Sequence, residues 1–380
     1  MSDTVLNCGY VPLVDCAPLV IAKELGFASE EGLTLNLVRQ PSWSALRDML
    51  ALGHLDAAHM LSPMAVAMSV GLGGLPARVD ALMVLSVNGT VFGVSNALAA
   101  QMGAVPFGDA GAVLAALAAR GTQPIRVGVP FHHSMHRLLL SYWTSAAPDV
   151  RIEEITVPPP RMAQAVSDGT VDAFWVGEPW GSVAVQQDVA QLMMTGRDVW
   201  QFAPEKVLAA RHEWVETHDG AARGLMRAVY RASAWLDLHE NKPLAVEILA
   251  RSEHLSMSPE FIDPALSGEI TAQHNAAPQV IGRFLQFHRH AASFPWRSQA
   301  AWIASRLGAD ASGVQSAKAC FRADLYRQNL GAIGVDLPAA SEKIEGALRY
   351  ETAVASTRGH MILAQDAFFD GRTFDFAGTR

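Results

Sequence analysis

The chain has 380 residues, of which half are hydrophobic and 17% are charged. It is therefore long enough for two domains, or for one unit with two lobes, and too apolar for extensive disorder. Its formal net charge of −8, without clusters of Lys and Arg, argues against direct binding of nucleic acid. The three cysteines, Cys8, Cys16 and Cys320, form no Cys-x-x-Cys pair, which suits a reducing compartment.

The first 22 residues are apolar but contain no Lys or Arg. A secretory leader needs a basic segment before its apolar core, so we expect this stretch to be folded protein rather than a leader. A second candidate membrane segment, residues 57–77, contains no charged side chain but includes Pro63, Pro76 and three glycines. It predicts a buried helix followed by a loop, and no membrane contact.

One order of elements occurs twice along the chain. The pattern predicts strand, helix, strand, helix, strand in the first copy, at residues 4–10, 15–25, 33–40, 44–53 and 55–60. The second copy has the same order at residues 125–130, 136–143, 151–158, 162–169 and 171–177. Both copies contain Gly-x-(Leu/Val)-Asp-Ala before the last strand, at 53–57 and 169–173. The repetition predicts two similar α/β lobes.

A turn into a helix follows the second copy, in VGEPWGSVAV at residues 176–185. From residue 221 onward helical patterns dominate, most clearly in GLMRAVYRASAWLDLH at 224–239, and we expect them to pack on the first lobe. The predicted division is a discontinuous first lobe of residues 1–88 and 197–380 and a second lobe of residues 89–196. A chain that crosses twice between lobes is expected to bind its ligand in the cleft between them.

Sequence signatures of enzymes and metal sites are missing. The chain has no Gly-x-Ser-x-Gly, no phosphate-binding P-loop and no dinucleotide fingerprint between a strand and a helix. RHEWVETH at 211–218 resembles the zinc motif His-Glu-x-x-His only superficially, because Glu216 stands where the second histidine belongs. The histidine clusters at 131–136 and 287–290 lack further ligands at suitable spacing. We therefore expect a binding protein, not an enzyme, without a metal or cofactor.

Five residues at the ends of predicted elements are candidates for an anion site: Trp43, His136, Gly177, Glu178 and Lys206. A cation, an imidazole and backbone N–H groups at helix starts together attract an anion. Each residue also has a plain structural alternative. Trp43 is equally a core aromatic, His136 and Glu178 are possible helix caps, Gly177 a turn glycine, and Lys206 a solvated lysine.

The chain resembles the nitrate- and bicarbonate-binding proteins of ABC transporters over essentially its whole length. The resemblance is carried by five blocks in order: GYVPLVDCAPLVIAKELGF, QPSWSALRDMLALGHLDAAHM, VPPPRMAQAVSDGTVDAFWVGEPW, APEKVLA and AFFDGRTFDF. It implies a two-lobed periplasmic-binding-protein fold of the second type that closes on a small oxyanion.

The resemblance also implies which residues hold the anion. The family uses a Trp after Pro-Ser, a His that opens a helix, the Gly of VGEPW and the Lys of Pro-Glu-Lys, which correspond to Trp43, His136, Gly177 and Lys206. The family glutamine after Asn-Gly is replaced by Thr90, whose shorter hydroxyl donates one hydrogen bond. Nitrate or nitrite is favoured over bicarbonate, which carries its own donor and needs an acceptor that the sequence does not place.

Transport members of this family resemble one another in carrying an export leader or lipid-attachment motif. The present chain is more similar to the leaderless cytoplasmic nitrate/nitrite sensor branch, whose partner is an RNA-binding antiterminator of the ANTAR type. We therefore expect a cytoplasmic sensor that sequesters the antiterminator until the anion binds. The alternative is the substrate-binding component of a nitrate or bicarbonate ABC transporter. The same fold also resembles thiamine-pyrimidine synthases, but their cysteine-rich iron motif is missing here.

Overall fold

The structure is a computed structural model that describes residues 4–72, 74–75, 77–121 and 123–379. Residues 1–3 of the leader-like stretch and Pro76 of the second apolar segment lie outside this part. Its strands are β1 (Thr4–Tyr10), β2 (Leu33–Arg39), β3 (Ala57–Leu61), β4 (Val79–Asn88), β5 (Thr90–Ser95), β6 (Ile125–Val129), β7 (Ile152–Thr156), β8 (Ala173–Gly177), β9 (Ala190–Thr195), β10 (Pro204–Arg211), β11 (Glu269–Ile270), β12 (Gln279–Val280), β13 (Leu285–Gln286), β14 (Thr352–Ser356) and β15 (Gly359–Leu363).

Most of the remaining ordered chain is helical. The α-helices are α1 (Ala17–Glu24), α2 (Phe27–Glu30), α3 (Trp43–Ala51), α4 (Ser62–Ser69), α5 (Asn96–Met102), α6 (Ala110–Ala118), α7 (Met135–Thr144), α8 (Met162–Ser167), α9 (Trp180–Gln186), α10 (His212–Thr217), α11 (Asp219–Leu236), α12 (Lys242–Ala250), α13 (Pro259–Ser267), α14 (Arg297–Arg306), α15 (Ala311–Cys320) and α16 (Ala323–Gly331). Within the described ranges, no helix has the length and apolar character needed to cross a bilayer.

Two large sheets have the same internal order. The six-stranded sheet runs β13-β4-β10-β3-β1-β2 and the five-stranded sheet runs β7-β6-β8-β5-β9. In each, three parallel strands are followed by one antiparallel strand, β10 in the first sheet and β5 in the second. The predicted α/β class with two similar lobes is therefore confirmed.

The antiparallel strands mark where the chain changes sheets. The chain leaves the first sheet at the end of β4 and enters the second directly as β5, and after β9 it returns to the first sheet as β10. Helix α11 then packs on α1 and α2, while α14 and α15 pack on α4. The connections from β4 to β5 and from β9 to β10 therefore both run between the two sheets. They keep the ends of the sheets that they join close together.

The repeated Gly-x-x-Asp-Ala motif has the same structural role in both lobes. Gly53 and Gly169 adopt left-handed backbone conformations (φ of 83° and 72°) just after α3 and α8, where a side chain would be strained. Asp56 Oδ2 accepts a hydrogen bond of 2.8 Å from the backbone N–H of Asn7. Asp172 Oδ2 accepts one of 2.9 Å from the N–H of Arg126. Each motif therefore ends a helix and ties the following strand to the first strand of its copy of the repeat.

The apolar segment from residue 57 differs from the prediction of one buried helix followed by a loop. It begins as the central strand β3, and only Ser62–Ser69 is helical. Both elements are buried, which accounts for the absence of charged side chains without any contact with lipid. This strand corresponds to the one predicted at residues 55–60. The separate prediction of a helix from residue 57 was wrong, because a short apolar run has no periodicity that separates strand from helix.

Candidate functional site

Lys206 lies on β10, between β3 and β4, where the pairing with β4 is irregular. Its side chain is fully buried. Its Nζ donates to Asp15 Oδ2 at 2.7 Å and to Glu205 Oε1 at 2.9 Å. Burial would lower the pKa of Lys206, but the two carboxyl groups outweigh it and raise that pKa above its usual value. Lys206 is therefore a buried, charged ammonium group with two acidic neighbours.

Asp15 belongs to the turn Val14–Cys16 that follows β1. Its Oδ1 lies 2.9 Å from His59 Nε2 on β3, within hydrogen-bond distance. Burial would raise the pKa of Asp15, but Lys206 and His59 hold it well below its usual range. Burial lowers the pKa of His59, and Asp15 only partly offsets this. At neutral pH the arrangement is an Asp15–Lys206 ion pair supported by a neutral imidazole.

His136 approaches Lys206 and Glu205 from the second lobe. It is the second residue of α7, whose start is capped by Ser134 Oγ, which accepts a hydrogen bond from the N–H of Arg137 at 3.2 Å. His136 Nδ1 lies 3.3 Å from Glu205 Oε1, but the angle does not make a hydrogen bond, and both ring nitrogens lack a protein partner in the described chain. Burial holds the pKa of His136 well below its usual value, and the Lys206 charge adds to this. Burial raises the pKa of Glu205 to about 7, although Lys206 opposes the shift.

Trp43 completes one side of this group. It is the first residue of α3, whose N-cap Ser42 accepts a hydrogen bond from the N–H of Ala45 at 3.2 Å. Lys206 Nζ lies 5.4 Å from the centre of the indole ring, and the ring of His59 lies 5.6 Å from it. The indole Nε1 is buried and has no hydrogen-bond partner among the residues described. Trp43 thus brings a free donor to the edge of the ionic group.

Gly177 ends β8 in the five-stranded sheet. A Cβ atom at this position would lie 2.7 Å from Leu13 Cδ2, 3.8 Å from His136 Nε2 and 3.9 Å from Asp15 Oδ2. The absence of a side chain therefore lets the end of β8 approach the residues of both lobes.

Thr90 and Glu178 lie on either side of Gly177, and their side chains bond to other groups. Thr90 pairs with Gly177 across β5 and β8, and its Oγ1 accepts a 3.0 Å hydrogen bond from Trp175 Nε1. Glu178 Oε2 accepts a 3.0 Å bond from the backbone N–H of Ser182 in α9. Trp43, His136, Gly177 and Lys206 thus lie together around one ionic group. Whether Thr90 and Glu178 contact a ligand stays a prediction.

Three residues of this group were not predicted from sequence: Asp15, His59 and Glu205. We call these three, together with Lys206 and His136, the ion cluster. The sequence pattern places Asp15 at the start of the predicted helix 15–25 and His59 in the predicted strand 55–60. Glu205 carried the clearest signal, because Glu-Lys stands inside the otherwise apolar run APEKVLAA. Adjacent charged residues in a buried strand must be paired, and that pairing indicates a site.

Two hydrogen bonds to backbone carbonyls join the two lobes beside the ion cluster. The N–H of Val14 donates to the carbonyl of Glu178 at 3.1 Å. Trp180 Nε1 donates to the carbonyl of Pro12 at 3.2 Å. The segment after β1 and the segment after β8 are therefore held together, with the ion cluster enclosed between them.

The segment RHEWVETH, with its superficial likeness to a zinc motif, forms helix α10 and is not part of the ion cluster. Its acidic side chain Glu216 is paired with an arginine. Asp80, His212 and Glu216 place potential metal-ligand atoms within 4.8 Å of one another. Arg322 Nη1 lies 2.6 Å from Asp80 Oδ2 and 3.3 Å from Glu216 Oε1. The guanidinium group already supplies the positive charge that these carboxylates require, so this cluster fits an arginine rather than a metal ion.

Sequence comparison places the chain in a family. The family described as NMT1-like matches residues 2–250. The chain belongs to the NMT1-like family.

Relatives of this NMT1-like chain include two proteins named for the import or transport of an anion. It is 35% identical over 307 residues to the nitrate import ATP-binding protein NrtC of Synechocystis sp., which covers 80% of this chain and 45% of that protein. It is 34% identical over 310 residues to the bicarbonate transport ATP-binding protein CmpC of Synechococcus elongatus. This match covers 80% of the present chain and 44% of CmpC. The chain thus spans less than half the length of these two relatives.

Among solved structures, the NMT1-like chain is similar to the periplasmic nitrate-binding protein NrtA of Synechocystis PCC 6803. The TM-score is 0.83 with 28% sequence identity, and the match covers 99% of this chain and 97% of NrtA. This similarity confirms the predicted periplasmic-binding-protein fold with two lobes.

Proposed function

We propose that this chain binds nitrate or nitrite between its lobes, with Lys206, His136, Trp43 and the backbone at Gly177 as the contacts. The observation that carries the proposal is a set of buried donors without protein partners beside a lysine. Trp43 Nε1 and both nitrogens of His136 lack hydrogen bonds within the described chain, and Lys206 uses two of its three protons on Asp15 and Glu205. Nitrate is a singly charged acceptor, so it satisfies donors of this kind.

Bicarbonate is the second candidate ligand. It differs from nitrate by carrying an O–H donor, and Asp15 and Glu205 are carboxyl groups that accept hydrogen bonds at the cluster. The names of the relatives include both anions. Nitrate and nitrite remain the first choice because Trp43 Nε1 and the protonated nitrogen of His136 are donors without a partner in the described chain, whereas Asp15 Oδ2 and Glu205 Oε1 already accept hydrogen bonds from Lys206.

Calorimetric titration of the purified chain with nitrate, nitrite and bicarbonate tests this proposal. We expect nitrate or nitrite to bind more tightly than bicarbonate, and the variant Lys206→Ala to lose most of that affinity. Binding of bicarbonate alone would reject nitrate as the ligand. The absence of heat with all three anions, for a protein shown to be folded by circular dichroism, would reject the site.

The biological role that we propose is that of a cytoplasmic nitrate/nitrite sensor with an ANTAR-type antiterminator as partner. Lobe closure around the anion would change the surface offered to that partner, and the hydrogen bonds from the Val14 N–H and the Trp180 indole N–H already link the two lobes. The sequence resemblance described above supports this role. The names of the relatives favour the alternative, a component of nitrate or bicarbonate import.

Co-purification separates the two roles. A sensor is expected to hold the antiterminator without nitrate and to release it in saturating nitrate, and cell fractionation should find it in the cytoplasm. Because the variant Lys206→Ala is expected to bind nitrate poorly, it should hold the antiterminator both without and with nitrate. A complex unchanged by nitrate would reject the switch. Export of the native gene product would favour the transport role.

A further inference from the structure

The positive charge of the ion cluster is already balanced by a carboxylate. Lys206 is the only permanent cation in it, and Asp15 balances its charge at 2.7 Å. Glu205 is a second carboxyl group at 2.9 Å from the same ammonium group. With both imidazoles neutral, the cluster has a net charge of zero when Glu205 is protonated and −1 when it is ionised.

An oxyanion that binds here adds another negative charge to a buried site. All five side chains of the cluster are at most 3% exposed. An unpaired charge at such a site loses its hydration and is strongly disfavoured unless a compensating charge enters with it. Since Lys206 is already paired, the simplest compensation is a proton.

The geometry indicates where that proton resides. His136 Nδ1 and Glu205 Oε1 are 3.3 Å apart, and both ring nitrogens of His136 lack a protein partner in the described chain. A proton on either member gives the pair the same total charge, so either position compensates an entering anion equally. The other nitrogen, Nε2, lies 3.8 Å from the Cβ position of Gly177, beside the proposed anion contacts. A proton held by the pair is therefore separated from the proposed anion contacts only by the imidazole ring.

We propose that oxyanion binding is coupled to the uptake of one proton by the Glu205–His136 pair, so that nitrate affinity falls as the pH rises. This inference rests on the proposed function of the site.

The charged and titratable groups around the pair come from three elements. Lys206 follows Glu205 on β10, Asp15 projects from the turn after β1, and His59 projects from β3. Burial already raises the pKa of Glu205 to about 7, against the opposing charge of Lys206. A bound anion raises the pKa of the pair further, because it favours the protonated form. The dissociation constant should be constant below the pKa of the free pair and rise with pH between the free and bound values.

The test is calorimetric titration of the full chain with nitrate from pH 6 to pH 9, with each pH measured in two buffers of different ionisation enthalpy. Nitrate is the probe because its own charge does not change in this range. We expect the dissociation constant to rise roughly five- to tenfold from pH 7 to pH 8, and the buffer dependence to show uptake of up to about one proton for each nitrate.

Two variants locate the proton. Glu205→Gln removes the acidic group, and we expect its affinity to change less than about twofold between pH 7 and pH 9. Glu345→Gln is the matched control, because Glu345 is also a buried carboxyl paired with a lysine, Lys343, and burial raises its pKa to about 6. It belongs to a different cluster with Ser298 and Asp366, so the wild-type pH dependence should persist.

The outcomes separate this inference from the proposed function. Nitrate binding with constant affinity and no proton uptake from pH 6 to pH 9 would overturn the coupling and leave the binding function intact. A wild-type pH dependence in Glu205→Gln, or its loss in Glu345→Gln, would overturn the assignment to the Glu205–His136 pair. A folded protein that gives no heat with nitrate at any pH would overturn the proposed function itself.

Discussion

Lys206 and Asp15 are 191 positions apart in the chain, yet Nζ of the lysine lies 2.7 Å from Oδ2 of the aspartate. The pair joins the strand that returns from the second lobe to the turn after the first strand. Lys206 therefore has two roles, as the proposed cation for the ligand and as the counterion of a buried carboxylate.

Replacing Lys206 with alanine should consequently affect both binding and stability. Loss of a charged donor to the anion costs about 1.5–3 kcal/mol of binding free energy, which is roughly a 10- to 150-fold loss of affinity. The unpaired Asp15 carboxylate should lower the free energy of unfolding by about 3–5 kcal/mol. Titration with nitrate and urea unfolding measure the two effects.

Thr90→Ala is the comparison for this variant. A neutral hydroxyl donor contributes roughly half as much as a charged one, so the loss of nitrate affinity should be smaller than for Lys206→Ala. Equal or reversed losses would remove Lys206 from direct contact with the ligand.

The contribution of the Trp43 indole N–H to nitrate binding can be tested while an aromatic ring is kept at this position. Trp43→Phe keeps the aromatic packing on Lys206 but deletes the donor, so nitrate affinity should fall about fivefold, equivalent to about 1 kcal/mol for a neutral hydrogen bond. Trp143→Phe is the control, since the N–H of Trp143 donates to the carbonyl of Ala110 at 2.8 Å, within the second lobe. If both variants bind nitrate equally well, Trp43 is only a core aromatic.

The regular parts of the fold could be predicted from sequence because their signals are local. The alternation in residues 4–10 predicts β1 over its observed range, and the repeated Gly-x-x-Asp-Ala predicts two similar lobes. The helical pattern at 224–239 was recognised, although α11 begins earlier, at Asp219. These features depend on periodicity and on residues that end helices, and both are visible within a short window.

The ion cluster could be predicted only in part, because its members meet through the topology. Lys206 and His136 were found as polar residues at element ends, but their spacing gives no distance. The meeting of Lys206 with Asp15, after β1, and with the His59 neighbour of Asp15 on β3 follows only from the position of β10 beside β3. This antiparallel strand lies outside the repeated series. Long-range pairings of this kind have no local sequence pattern.

Gly177 offers a steric test of the site. A methyl group at this position would meet Leu13 Cδ2 at 2.7 Å and lie between His136 and Asp15. Overpacking of this type costs about 1–3 kcal/mol of folding free energy. Because the methyl group would also occupy space beside His136 Nε2, where we place the anion, Gly177→Ala should weaken nitrate binding by roughly tenfold or more. Gly282→Ala is the control, because no atom lies within 4 Å of its Cβ position. Unchanged affinity in Gly177→Ala would show that the end of β8 does not approach the ligand.

Glu178 makes the stability of the protein depend on pH. Burial raises its pKa to about 7 from 4.5, although hydrogen bonds from Ser182 oppose the shift. Between these values the folded protein keeps a proton that the unfolded chain has released, so the contribution of Glu178 to the free energy of unfolding falls as the pH rises. The fall amounts to about 3 kcal/mol when it is complete, above pH 7.

Glu178→Gln cannot ionise and should lack this contribution. The stability of the variant relative to the wild type should therefore increase by up to about 3 kcal/mol from pH 5 to pH 8. Urea unfolding of both proteins at each pH measures the difference, in which the titrations of the other buried groups cancel. A difference that stays constant over this range would mean that the Glu178 carboxyl ionises at the same pH in the folded and unfolded chains.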